Sequence, residues 1–171
     1  EMIRNEDRKK ETETEEEIEK KSIEEIKQDC ELNAAKRLIP RFRRMYPRLP
    51  VRIIADSLYP SMKLIELCEK EKMEYIFVLK DKKIPSILEE FLAIASMAEG
   101  NREMMEDEEK ITLILWENEI DYREKKRNVI RQIIKNKKNE KYSIWMWITN
   151  REITRKNLYK IIYCARLRDY I

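Results

Sequence analysis

Two short apolar runs, Val51-Arg52-Ile53-Ile54-Ala55 and Tyr75-Ile76-Phe77-Val78-Leu79, restrict what this chain can fold into more than any other feature. Neither run alternates cleanly between apolar and polar residues, so each needs cover on both faces, as a strand inside an α/β sheet has. Between them, Pro60-Ser61 opens a helix in which Met62, Ile65 and Cys68 share a face, and Glu69-Lys70-Glu71-Lys72 closes it. Strand, helix and strand in so short a span predict a βαβ unit. Its right-handed crossover puts the carboxyl ends of both strands at one sheet edge, where ligands of open α/β sheets bind. Asp56 and Lys80 both arrive there. An acid and a lysine so placed suit a binding site, and they equally suit a plain salt bridge, or for Asp56 a helix cap.

The chain before this unit divides in two. Glu1 to about Lys27 is rich in Glu, Lys and Thr with isolated isoleucines, so residues 1–31 read as an acidic linker or loose helix. From Leu32 the residues Ala35, Leu38, Ile39, Phe42 and Met45 recur at helical spacing, with an irregularity expected at Pro40 and a stop at Pro47. After the unit, Ser86-Ile87-Leu88-Glu89 is a capping-box pattern that opens a helix burying Ile87, Phe91, Ile94 and Ala98. Arg102 to Lys110 reads as a charged loop. Ile111–Trp116, Asn128–Ile134 and Tyr142–Thr149 have strand composition, the last two forming a hairpin whose polar tip is Lys135–Lys141. Trp145 and Trp147 share one face of the last strand, placed either to stack on bases or to pack on the sheet. Leu158, Ile161, Ile162 and Ala165 then mark a final helix, which the chain leaves without glycine, proline or a polar tail, as an internal boundary would.

Composition removes several chemistries. With no histidine there is no Ser-His or Cys-His nucleophile and no ordinary zinc site, and a single glycine, Gly100, cannot build a glycine-rich phosphate loop. Cys30, Cys68 and Cys164 are odd in number and widely spaced, so they read as free, buried thiols. Carboxylates with hard cations remain. The sequence offers neither a spanning apolar run nor a signal peptide, which makes the cytoplasm the expected location. The formal net charge of +3 conceals segregation: residues 1–31 carry thirteen acidic and seven basic side chains, residues 32–54 seven basic and none acidic, and residues 121–141 nine basic and three acidic. Such basic blocks suit a polyanion, or are simply solvated faces.

Several stretches, in this order, resemble bacterial insertion-sequence transposases of the DDE class. They are Lys27-Gln28-Asp29-Cys30-Glu31, Tyr46-Pro47-Arg48-Leu49-Pro50, Asp56-Ser57-Leu58-Tyr59, Tyr75 to Lys80, Trp147-Ile148-Thr149-Asn150 and Ile153-Thr154-Arg155-Lys156-Asn157. Glu1-Met2-Ile3-Arg4-Asn5 is similar to a strand of the same family, a candidate initial strand within 1–31. The resemblance implies an α/β chain with a partial ribonuclease H-like fold. A βαβ core would occupy 32–99, a β-rich insertion 100–150, and the final helix of the catalytic domain 151–171. It implies an enzyme in which two Asp and one Glu hold two Mg²⁺ or Mn²⁺ ions for DNA strand cleavage and transfer. Asp56 would be the middle carboxylate and metal ligand. Lys80, Arg37, Arg41, Arg44, Arg166 and Arg168 would be candidate DNA contacts. The partners implied are transposon ends and target DNA, with a homodimer as the active form of the full-length protein and no membrane.

Departures from the family pattern limit that expectation. The first Asp would lie upstream, and in relatives the final helix continues through Trp, a variable residue and Ile to the Glu; here Asp169 replaces the Trp and Ile171 is last. The chain therefore matches an internal fragment with an incomplete two-metal site, expected to be inactive alone. The alternative expectation is a non-catalytic DNA-binding or interaction remnant of a degenerate mobile element.

Overall fold

The structure is a computed structural model that describes the backbone of residues 23–57, 59–80, 85–97, 101–122 and 125–167. Glu1–Asn5, the side chain of Cys30, Ala98 and Arg168 to Ile171 lie outside the described residues. Among the described residues four helices and six strands form a mixed α/β arrangement: α1 (Ile23–Met45), β1 (Arg52–Ala55), α2 (Met62–Lys70), β2 (Glu74–Val78), α3 (Pro85–Met97), β3 (Arg102–Glu106), β4 (Lys110–Tyr122), β5 (Lys125–Asn136), β6 (Tyr142–Thr149) and α4 (Leu158–Arg166). The strands make one sheet in the order β1-β2-β6-β5-β4-β3.

The expected βαβ unit is present. β1 and β2 run parallel with Ala55 beside Phe77. The Ser61 hydroxyl accepts from the Leu64 amide at 3.4 Å and starts α2, which buries Leu64, Ile65 and Cys68. Burial pushes the Cys68 thiol up to about 12, leaving it an inert apolar group. The expected hairpin is also present: Gln132 lies opposite Trp145 and Ile133 opposite Ile144, and the Asn136 side chain accepts the Lys138 and Asn139 amides in the tip. β6 then pairs antiparallel with β2, Val78 against Trp147, so the later strands continue the sheet of β1 and β2.

Two expectations about elements are corrected. Arg102–Glu106 is a strand, not a loop; its backbone pairs with β4 from Arg102–Leu115 to Glu106–Ile111. A charged sequence suits this edge position because the ladder supplies the hydrogen bonds while the charges discourage further strand addition. The first helix begins at Ile23, well before Leu32, and runs through Pro40 without ending. Ala35, Ile39 and Phe42 pack into the core on both sides of that proline, and this burial outweighs the lost hydrogen bond.

The sheet separates two apolar layers. On one face α1, α2 and α3 enclose Ile39, Leu64, Tyr75, Phe77, Ile87, Phe91, Val129 and Ile148. On the other, α4 places Leu158, Ile161, Ile162 and Ala165 on Ile76, Ile114, Trp116, Ile130 and Trp147. The apolar spacing in the last helix therefore maps onto burial residue for residue. In α3, Ile87 and Phe91 are buried as expected, but Ile94 is on the exposed side.

Arg43 fastens two turns at the amino ends of β1 and β2. Its guanidinium donates to the carbonyls of Glu71 (2.8 Å), Lys72 (3.0 Å), Leu49 (3.0 Å), Pro47 (3.2 Å) and Tyr46 (3.5 Å). Lys72 has a left-handed φ of 53°, and the carbonyl bond helps to hold that conformation. Arg43→Met should lower the unfolding free energy by about 2 kcal/mol, read as a lower denaturant midpoint at unchanged slope.

Beside it, Glu74 accepts from Arg52 at 2.9 and 2.6 Å and from Arg151 at 3.1 Å. Burial alone would raise the Glu74 carboxyl, but Arg52 and then Arg151 hold it below its ordinary 4.5. A depressed carboxyl contributes stability above 4.5 that is lost as pH falls through the lower folded value. Thermal stability of the wild type should therefore fall in that acid window, and Glu74→Gln should flatten this part of the profile; an identical profile would exclude the linkage.

Candidate functional site

Asp56 follows β1, an edge strand only four residues long. Its partner on one side is β2; the other side carries no strand among the described residues. Asp56 is half-buried, its carbonyl accepts the Tyr59 amide at 3.1 Å, and burial together with the charges of Glu31 and Asp56 raises the Tyr59 hydroxyl. A groove of about 450 Å³ runs beside this strand, lined by Ala35, Leu38, Ile39 and Phe42 of α1, by Val51, Ile53, Ile54, Ala55, Asp56 and Tyr59, and by Leu64 and Met73. Helix α1 thus overhangs an open sheet edge that ends in a carboxylate.

Lys80 is exposed just past β2. In the parallel register Asp56 is level with Val78, so Lys80 stands two residues further along the same end of the sheet. Continuing the antiparallel register sets Lys80 against Trp145. Arg166, in the last turn of α4, lies over the Trp145 ring at 5.2 Å, and the Trp145 and Trp147 rings stack at 6.2 Å. Trp147 is fully buried and Trp145 half-buried under that guanidinium, so both tryptophans pack within the fold. Helix α4 also reaches β1 at its amino end, where Arg52 donates to Cys164 Sγ at 3.3 Å. Asp56 and Lys80 therefore stand at one end of the sheet, and Arg166 covers Trp145. Arg168 lies outside the described residues.

Arg37, Arg41 and Arg44 lie on α1, with Arg41 and Arg44 exposed and Arg37 half-buried with contacts of its own. The two basic blocks of the sequence have different fates. In 121–141, Lys125 and Arg127 pair with Glu69, Lys126 with Asp121, Lys135 with Glu140, Lys137 with Glu106 and Lys138 with Glu109. Glu69 comes from α2, Glu106 from β3 and Glu109 from the β3–β4 turn, so these pairs have no signature in the local sequence, whereas Asp121 and Glu140 lie within the block itself.

Among the described residues no three acids, cysteines or histidines come close enough to hold a metal ion. Asp56 alone does not make a two-metal site. No described helix is long and apolar enough to cross a membrane. Comparison of the chain with protein families, with curated proteins and with solved structures finds no match.

Proposed function

We propose that this chain is part of the catalytic domain of a DDE-class transposase with a ribonuclease H-like fold, acting on DNA in the cytoplasm, and that Asp56 is its middle catalytic acid. The observation that carries this reading is the position of Asp56 at the carboxyl end of an open edge strand, with Lys80 at the same end of the sheet. An edge strand flanked by an apolar helix is a place where a further strand can continue the sheet, and an acid on such a strand would come beside Asp56. The class requires two divalent ions held by three carboxylates; the described residues supply one, and the others would come from outside them.

The test is strand cleavage and joining by the full-length protein on DNA carrying the element's ends, with Mg²⁺ or Mn²⁺. The expected result is product that disappears on chelation. Salt-sensitive DNA binding without any cleavage by the intact protein would favour the non-catalytic remnant.

A further inference from the structure

We propose that the outward face of α1 and the turn after it, through Arg41, Arg44 and Arg48, is the surface that grips the backbone of duplex DNA, and that the lysine-rich hairpin is not. This deepens the reading of the chain as a DNA-processing protein and rests on it. All three arginines are exposed, and among the described residues they make no ion pair and no side-chain hydrogen bond. No acidic residue occurs between Leu32 and Ala55 to neutralise them. The block 121–141 offers the opposite case, since among the described residues six of its cations already face a carboxylate.

The scaffold under these arginines is rigid. Ile39 and Phe42 anchor α1 in the core, so Arg41 and Arg44 project from a docked helix. Arg43 binds the carbonyls of Tyr46, Pro47 and Leu49, and so fixes the turn that presents Arg48. Little side-chain support has to be ordered on binding, which favours contact with a regular row of phosphates. From Arg41 to the end of α1 at Met45 the helix rises about 6 Å, comparable to about two base-pair steps of 3.4 Å along a strand.

The test compares duplex-DNA affinity of the full chain across a salt titration. The triple variant Arg41→Gln, Arg44→Gln, Arg48→Gln should lower the slope of log affinity against log salt by about 2 to 3, at about 0.9 per lost phosphate contact. The triple variant Lys135→Gln, Lys137→Gln, Lys138→Gln should leave that slope within about 0.5. Matching circular dichroism and melting curves would confirm that both variants fold. An unchanged slope for the arginine variant, an equal loss for the lysine variant, or arginine-dependent binding to phosphatidylserine vesicles with none to DNA would each overturn the proposal. If the full-length protein still transfers strands while the arginine variant keeps its slope, the surface is wrong and the transposase reading stands; if neither binding nor transfer is seen, that reading fails as well.

Discussion

Glu69→Ala should destabilise the fold by about 3–5 kcal/mol, the usual cost of leaving a buried charge without its partner, and should lower the melting temperature by roughly 10 °C. The charge in question is Arg127, whose side chain is 2% exposed. Its guanidinium meets Glu69 at 3.0 Å and donates to the Lys126 carbonyl at 2.8 Å. The same carboxylate accepts from Lys125 at 3.1 Å and from the Tyr75 hydroxyl at 3.5 Å. Burial raises the Tyr75 hydroxyl well above its ordinary value, so it stays protonated as a donor. Glu69 therefore ties the end of α2 to the start of β5, and its removal strands Arg127 among apolar neighbours. Glu69→Met combined with Arg127→Met removes both charges and should recover most of the loss, because two apolar side chains of similar volume can replace a buried pair. If the single variant melts within about 2 °C of wild type, the pair carries no such weight.

If Asp56 is the middle metal ligand proposed above, Asp56→Asn in the full-length protein should reduce strand transfer by about 10³-fold or more, since losing that ligand would forfeit several kcal/mol of charge stabilisation at the reacting phosphate. DNA affinity should change by less than about twofold, because phosphates are held by cations and not by this acid. Folding should be preserved: Asn keeps the shape of the side chain, and the bond from the Tyr59 amide is to the backbone carbonyl. Retained transfer would remove Asp56 from the catalytic set. Loss of transfer together with loss of folding would be distinguished by melting curves, and Asp56→Ser provides a second variant with the same expected split.

Much of the fold was legible in the residues. The apolar runs around Ile54 and Phe77 announced strands, Ser61 capped the helix that follows it, and Leu158, Ile161, Ile162 and Ala165 kept their helical spacing into the core. Those signals are local, because period and capping act within a few residues. Arg102–Glu106 was illegible for the converse reason. Its side chains carry no strand pattern, and it is a strand only because β4 offers an unpaired backbone beside it.

The candidate site divides in the same way. The order of residues by itself put an acid after β1 and a lysine after β2, and the parallel crossover was enough to bring them to one end of a sheet. It also showed two basic blocks without distinguishing them. Only tertiary structure decided that Arg43 serves carbonyls, that Arg127 is buried on Glu69, that Arg166 covers Trp145, and that Arg41, Arg44 and Arg48 remain in water. The physical reason is range: hydrophobic period and caps are set by neighbours in the chain, whereas the partner of a charge is set by whichever distant element the sheet register carries to it.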